Sequence, residues 1–129
     1  MLIDSHCHLD AAEFDHDREA VVARARAAGV RAQIVPAVTA AAWPGLRTVC
    51  AAAPGLYPAY GLHPMYLDEH RPEHLQALRE WIERERPVAV GECGLDFFVE
   101  GLDPQRQQRF FDGQLRLAGD FALPLIVHA

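Results

Sequence analysis

Leu2-Ile3-Asp4-Ser5-His6-Cys7-His8 opens the chain with a short apolar run that ends in two histidines two residues apart. Residues i and i+2 of a strand project to the same face. The spacing therefore predicts two imidazoles side by side where a buried strand emerges. Two neutral ring nitrogens so placed can grip one divalent cation. Glu92 and His128 stand at the ends of later apolar runs, far along the chain, and that recurrence turns a local pattern into a statement about architecture.

Working outward, strand-like and helix-like segments alternate. Strands are predicted over Leu2–His6, Gln33–Val38, Leu56–Gly61, Val88–Gly91 and Leu123–Val127. Between them, apolar spacing and stop signals predict four helices. The first is Asp15–Ala28, stopped by Gly29. The second is Ala40–Ala53, with Thr39 as cap and Pro44 near its first turn. The third is Pro72–Arg86, with Pro72 at the first helical position and Leu75, Leu78, Trp81 and Ile82 as its stripe. The fourth runs from Pro104 to about Phe121. Repeated strand–helix–strand units imply a parallel sheet with right-handed crossovers. Runs such as Ile34-Val35-Pro36-Ala37-Val38 are apolar on both faces, as in a sheet covered on both sides. No glycine-rich loop follows the first strand, which weakens a doubly wound nucleotide-binding reading. Polar residues at the C-terminal ends of several strands suit an arc of a barrel.

Composition sets the bounds. The chain has 129 residues, half of them apolar and 23% charged, which is the size and balance of one globular domain. No apolar stretch is long enough to span a bilayer, and no basic region precedes the first apolar run as a signal peptide requires. A net charge of −6 argues against a non-specific nucleic-acid coat, but bound cations would reverse the sign locally. Cys7, Cys50 and Cys93 form an odd set with no C-x-x-C pair, which fits a reduced, cytoplasmic setting. Cys7 and Cys93 should face away from the histidines as small buried hydrophobes.

Four motifs occur in one order: Asp4-Ser5-His6-Cys7-His8, Gly61-Leu62-His63-Pro64, Gly91-Glu92-Cys93-Gly94-Leu95-Asp96 and Leu123-Pro124-Leu125-Ile126-Val127-His128. Together with Asp103-Pro104-Gln105-Arg106-Gln107-Gln108 and Phe110-Phe111, they closely resemble the TatD family of metal-dependent hydrolases, within the amidohydrolase-like TIM barrels. The resemblance implies an α/β fold of the (β/α)8 type, with residues 1–129 forming the N-terminal half of a single barrel domain: four βα units and a fifth strand. It implies that His6, His8, Glu92 and His128 are metal ligands, with Glu92 bridging two divalent ions (Mg2+, Mn2+ or Zn2+) and serving catalysis. It also implies a deoxyribonuclease that cleaves phosphodiester bonds with a metal-bound hydroxide, and DNA as partner. His63 and Asp96 are the candidates for substrate contact, with local hydrogen bonding and turn capping as their alternatives. Asp4 is a candidate partner of the two histidines.

The pattern also departs from the family. A sixth-strand histidine and an eighth-strand aspartate, which the resemblance would supply, have no counterpart here, so the half-site is expected to bind metal weakly and catalyse poorly. A whole barrel of this type takes about 250 residues. The chain therefore reads as a truncated half-barrel, and a chain folding as given would have to hide an apolar edge by pairing or oligomerising. Hydrolysis of an amide, lactone or phosphotriester is the alternative within enzymes. A non-catalytic half-barrel that binds a partner is the alternative outside them. His16, His70 and His74 are expected to be solvated, Arg106 and Arg109 to lie on a solvated helix face, and Trp43, Trp81, Phe110 and Phe111 to pack rather than stack on bases.

Overall fold

Five parallel strands, hydrogen-bonded in the order β1-β2-β3-β4-β5, form half of a barrel in the computed structural model, which describes residues 1–129. The strands are β1 (Leu2–Asp4), β2 (Val30–Pro36), β3 (Leu56–Tyr60), β4 (Ala89–Gly94) and β5 (Leu125–His128). Each consecutive pair is joined by one helix: α1 (Arg18–Ala27), α2 (Trp43–Ala51), α3 (Glu73–Glu85) and α4 (Pro104–Asp120). Sequence order equals spatial order, so every site-bearing connection leaves the same, C-terminal edge of the sheet. No helix is long and apolar enough to cross a membrane.

The helix starts differ from the sequence expectation for local reasons. α1 begins at Arg18, after a 3-10 turn at Ala12–Phe14. The Arg18 guanidinium donates to the carbonyls of Leu9 (2.7 Å) and Ala11 (3.1 Å) and to the Asp15 carboxylate (2.8 Å), holding this segment as a turn. Another 3-10 turn at Ala40–Ala42 precedes α2, and the Thr39 side chain makes no capping bond. Pro44 instead lies in the first turn of α2, where its missing N–H costs nothing. Pro72 is the cap of α3 rather than its first residue. The Gly29 stop holds: its φ is +93°, a conformation costly to a side chain.

Every residue of β4, the strand that carries Glu92, is buried between β3 and β5. The core packs the helices against β2, β3 and β4 through Val35, Leu46, Tyr60, Leu78, Ile82 and Val90. Trp43, Tyr60 and Trp81 cluster with ring centroids 5.5–6.5 Å apart. Trp43 and Phe110 are buried as expected, and Trp81 packs against the same core. Cys93 is fully buried and Cys7 packs on the core, as expected for inert thiols. Burial raises Cys7 and pushes Cys50 and Cys93 up to about 12. Leu2 and Ile3 on β1 and Val127 on β5, the two outer strands, remain exposed.

Candidate metal centre

The barrel geometry delivers the candidate ligands from separate strands to one point. β1 ends at Asp4, so His6 and His8 lie just beyond the regular strand; the Cys7 amide still donates to the Ile34 carbonyl (3.1 Å) and continues the ladder. Asp4 meets this segment through the His6 backbone N–H (3.1 Å), not through an imidazole. On β4 the pairing with β5 skips Glu92, and the Glu92 amide donates instead to the Ala37 carbonyl (3.0 Å) at the end of β2. That irregularity aims the carboxylate across the strand ends. Close approach sets the depth of the site: a Cβ on Gly61 would lie 2.6 Å from the backbone carbon of Gly91, so only glycine lets β3 and β4 close here.

Glu92 is the hub. Its side chain is only 4% exposed, and each carboxylate oxygen faces a separate pair of imidazoles. Oε1 lies 2.9 Å from His6 Nε2 and 3.1 Å from His8 Nε2, and those nitrogens are 3.3 Å apart. Oε2 lies 2.9 Å from His128 Nδ1 and 3.3 Å from His63 Nε2. His128 also donates from Nε2 to Asp96 Oδ2 (2.8 Å). Asp96 Oδ1 accepts from the amides of Phe98 (3.0 Å) and Val99 (3.1 Å), so Asp96 both caps its turn and orients the His128 ring.

The electrostatics follow from these contacts. Burial pushes the Glu92 carboxyl up, but hydrogen bonds from His63, His8 and His128 outweigh it and hold the group well below the usual carboxylate range. The bond to Glu92 raises His8. Burial lowers His128, but its bonds to Asp96 and Glu92 prevail and raise it. The bond to His128 lowers Asp96.

The donors fit a divalent cation on the Oε1 side. Adjacent ligands about 2.1 Å from an ion stand about 3.0–3.4 Å apart in octahedral or tetrahedral arrangements, and the His6–His8–Glu92 triangle has edges of 2.9, 3.1 and 3.3 Å. His63, Glu92 and His128 also bring three donor atoms within reach of one point. There, however, the Met65 N–H donates to His63 Nδ1 (3.1 Å), which places the ring proton on Nε2, facing Glu92. His63 therefore acts as a hydrogen-bond donor, and the lone-pair donors on that side are Glu92 and His128.

Two expectations are corrected. His70 is fully buried, not solvated: its Nε2 donates to the His63 carbonyl (2.7 Å), and its ring packs on Phe110 at 5.4 Å. Burial holds its pKa below the ordinary value. Arg106 is half-buried, because its guanidinium donates to the His70 carbonyl; Arg109 is exposed as expected. His16 is exposed, and His74 is half-exposed, with Nδ1 accepting from the Arg71 amide.

Sequence reading missed two features. Gln107 clamps the Asp96 amide and carbonyl (2.7 and 2.9 Å), while Gln114 clamps those of Leu62 (2.8 and 3.1 Å). Phe97 and Phe98, next to Asp96, are 67% and 95% exposed. A surface hollow of about 620 Å3 lies between α1 and α2 and contains none of the candidate ligands above.

Residues 3–129 match the family described as TatD related DNase. The chain is 46% identical over 132 residues to the uncharacterized metal-dependent hydrolase YjjV of Escherichia coli (strain K12), covering 98% of this chain and 50% of that protein. It is 35% identical over 130 residues to the 3'-5' ssDNA/RNA exonuclease TatD of Cronobacter sakazakii (strain ATCC BAA-894), covering 98% of this chain and 48% of that one. The crystal structure of the Escherichia coli K12 protein superposes with a TM-score of 0.93 at 42% identity, over 98% of this chain and 50% of that chain. A TatD family hydrolase from Entamoeba histolytica superposes with a TM-score of 0.86 at 20% identity, over 99% and 49%, a likeness of fold alone. The chain spans about half the length of the curated relatives it matches.

Proposed function

The chain belongs to the TatD related DNase family, and from that premise we propose that it provides the His6–His8–Glu92–His128 half of a divalent-metal centre that hydrolyses phosphodiester bonds in DNA. The observation that carries this reading is the divided Glu92 carboxylate, with one oxygen on His6 and His8 and the other on His128. A carboxylate placed this way offsets the repulsion between two cations. When bound, the cation (Mg2+, Mn2+ or Zn2+) supplies Lewis acidity toward a phosphoryl oxygen and makes a water acidic enough to attack near neutral pH.

The chain's own residues do the rest. His6 and His8 supply neutral nitrogens from the edge of the sheet, and Glu92 supplies charge from the buried β4. Asp96 accepts from His128 Nε2 and so turns Nδ1 toward the site, a common device for fixing a ligand's tautomer. His63 presents an N–H beside Glu92, where a substrate oxygen carrying negative charge would accept it.

A nuclease named for single-stranded DNA and RNA among the relatives favours a phosphodiester over an amide or lactone. The test is hydrolysis of an end-labelled single-stranded oligonucleotide with Mg2+, Mn2+ or Zn2+, beside amide, lactone and phosphotriester substrates. Turnover of the oligonucleotide, lost in Glu92→Gln, is expected. Intact oligonucleotide with turnover of an amide or ester would overturn the reading.

A further inference from the structure

Beside the metal centre lies a groove of about 360 Å3, most of whose lining the chemistry above does not use. Its lining comes from the first three strand-to-helix connections: Asp10 from the first, Val38 from the second, and Met65 and Tyr66 from the third. His8 and His63 also line it, so the groove opens directly onto the imidazoles that surround Glu92. The volume is at the small end of ordinary small-molecule sites, roughly 300–1,000 Å3. It suits one nucleoside and is too small for a duplex.

The lining has the chemistry of a base site. Tyr66 meets the His63 ring edge to face at 5.5 Å and keeps 42% of its surface exposed, and Met65 beside it is similarly open. A flat ring flanked by a polarizable thioether is a stacking platform that serves any base. In the same groove Asp10 is half-buried and its carboxylate forms no ion pair: Arg18 reaches only the Asp10 backbone carbonyl (3.4 Å) and pairs instead with Asp15, and His8 and Arg18 act on the carboxylate only at a distance. A carboxylate is an acceptor only. It repels phosphate and accepts N–H groups, so the groove does not suit the backbone of a nucleic acid.

We propose that this groove holds the base of the nucleotide next to the scissile phosphate, with the base stacked at Tyr66 and Met65 and its N–H edge on Asp10. The proposal rests on the phosphodiesterase reading and adds the base to it. Guanine, whose Watson–Crick edge offers two adjacent N–H groups, matches the two oxygens of Asp10 in the same forked way that arginine matches a carboxylate; uracil offers one.

The test is binding to the 129-residue chain in excess Mg2+, by ligand-observed NMR titration with guanosine 5'-monophosphate, uridine 5'-monophosphate and ribose 5-phosphate. Guanosine monophosphate is expected to bind about tenfold tighter than ribose 5-phosphate, the scale of one stacked base. Tyr66→Ala should remove most of that difference, and Tyr66→Phe, which keeps the ring, should retain it. Asp10→Asn, which turns one acceptor into a donor, should reduce the preference for guanosine over uridine monophosphate severalfold without weakening ribose 5-phosphate. Equal binding of guanosine monophosphate and ribose 5-phosphate would overturn the base site, as would a guanosine preference unchanged in Asp10→Asn. Neither result touches the phosphodiesterase reading, which the oligonucleotide assay decides separately.

Discussion

Replacing Glu92 with Gln keeps the shape of the side chain and removes its charge. Either amide orientation turns an NH2 toward one pair of imidazoles. Facing His63, that group opposes an N–H whose proton is fixed by Met65, so donor meets donor. The rings do not count equally. His6 and His8 are 36% and 40% exposed and can turn to water, so their share is small. His128 is 18% exposed and His63 is buried, and they lose a bond to a charged group worth about 1.5–3 kcal/mol. A net loss of about 2 kcal/mol is expected without metal. The raised His8 and His128 contribute stability that is present below their ordinary value of 6.5 and lost as pH rises through their folded values. The lowered Glu92 contributes stability present above its ordinary value of 4.5 and lost as pH falls through its folded value. The loss should therefore be largest between pH 4.5 and 6.5 and shrink in alkali. Divalent cation at 100 times its Kd should add about 2.7 kcal/mol to the parent chain and almost nothing to the variant, since removing even an outer partner of a metal site costs about 10–100-fold in affinity. Urea unfolding at pH 6 and pH 9, with and without Mn2+ or Zn2+, reads both quantities. A variant as stable as the parent at pH 6 that keeps the full metal-induced gain would refute the hub.

Three further outcomes follow from the packing. Gly61→Ala places a methyl 2.6–2.7 Å from the Gly91 backbone, which cannot rotate away; a loss of about 3 kcal/mol, the top of the overpacking range, should appear as a lower urea midpoint. Gln114→Leu leaves the Leu62 amide and carbonyl without their partner. About 1–3 kcal/mol is expected, together with faster hydrogen exchange at the Leu62 amide. His70 is neutral in the fold and its pKa is lowered, so its contribution is present above 6.5 and is lost as pH falls through its folded value. His70→Gln should flatten that part of the stability curve between pH 7 and pH 5, measured by thermal unfolding across the range; an unchanged slope would show that His70 carries no part of it.

The strands and the candidate ligands at their ends were legible because their signals are local. An apolar run ending in His6-Cys7-His8, or in Glu92, states both the strand and what it delivers. The starts of α1 and α2 were less legible, because Arg18 bonds backwards across nine residues and periodicity does not register that. His70 was misread for a related reason: its burial comes from Phe110 and Arg106, about forty residues later. Gln107 and Gln114 left a usable cue. They fall on the same helical stripe as the buried Phe110, Leu117 and Ala118, and a glutamine in line with core residues signals a backbone clamp rather than a wet face.

Those two glutamines have a mechanical consequence. Seven residues apart on one helix, they stand two turns, about 10 Å, along a single rigid rod. One grips the segment that leads into His63, which faces Glu92 Oε2, and the other grips Asp96, which orients the His128 ring on that same oxygen. α4 thus works as a jig that sets the span between two loops with no direct bond to each other. A deletion of one residue between the clamps would rotate them about 100° out of alignment, and both loops would lose their common gauge even with every ligand left in place.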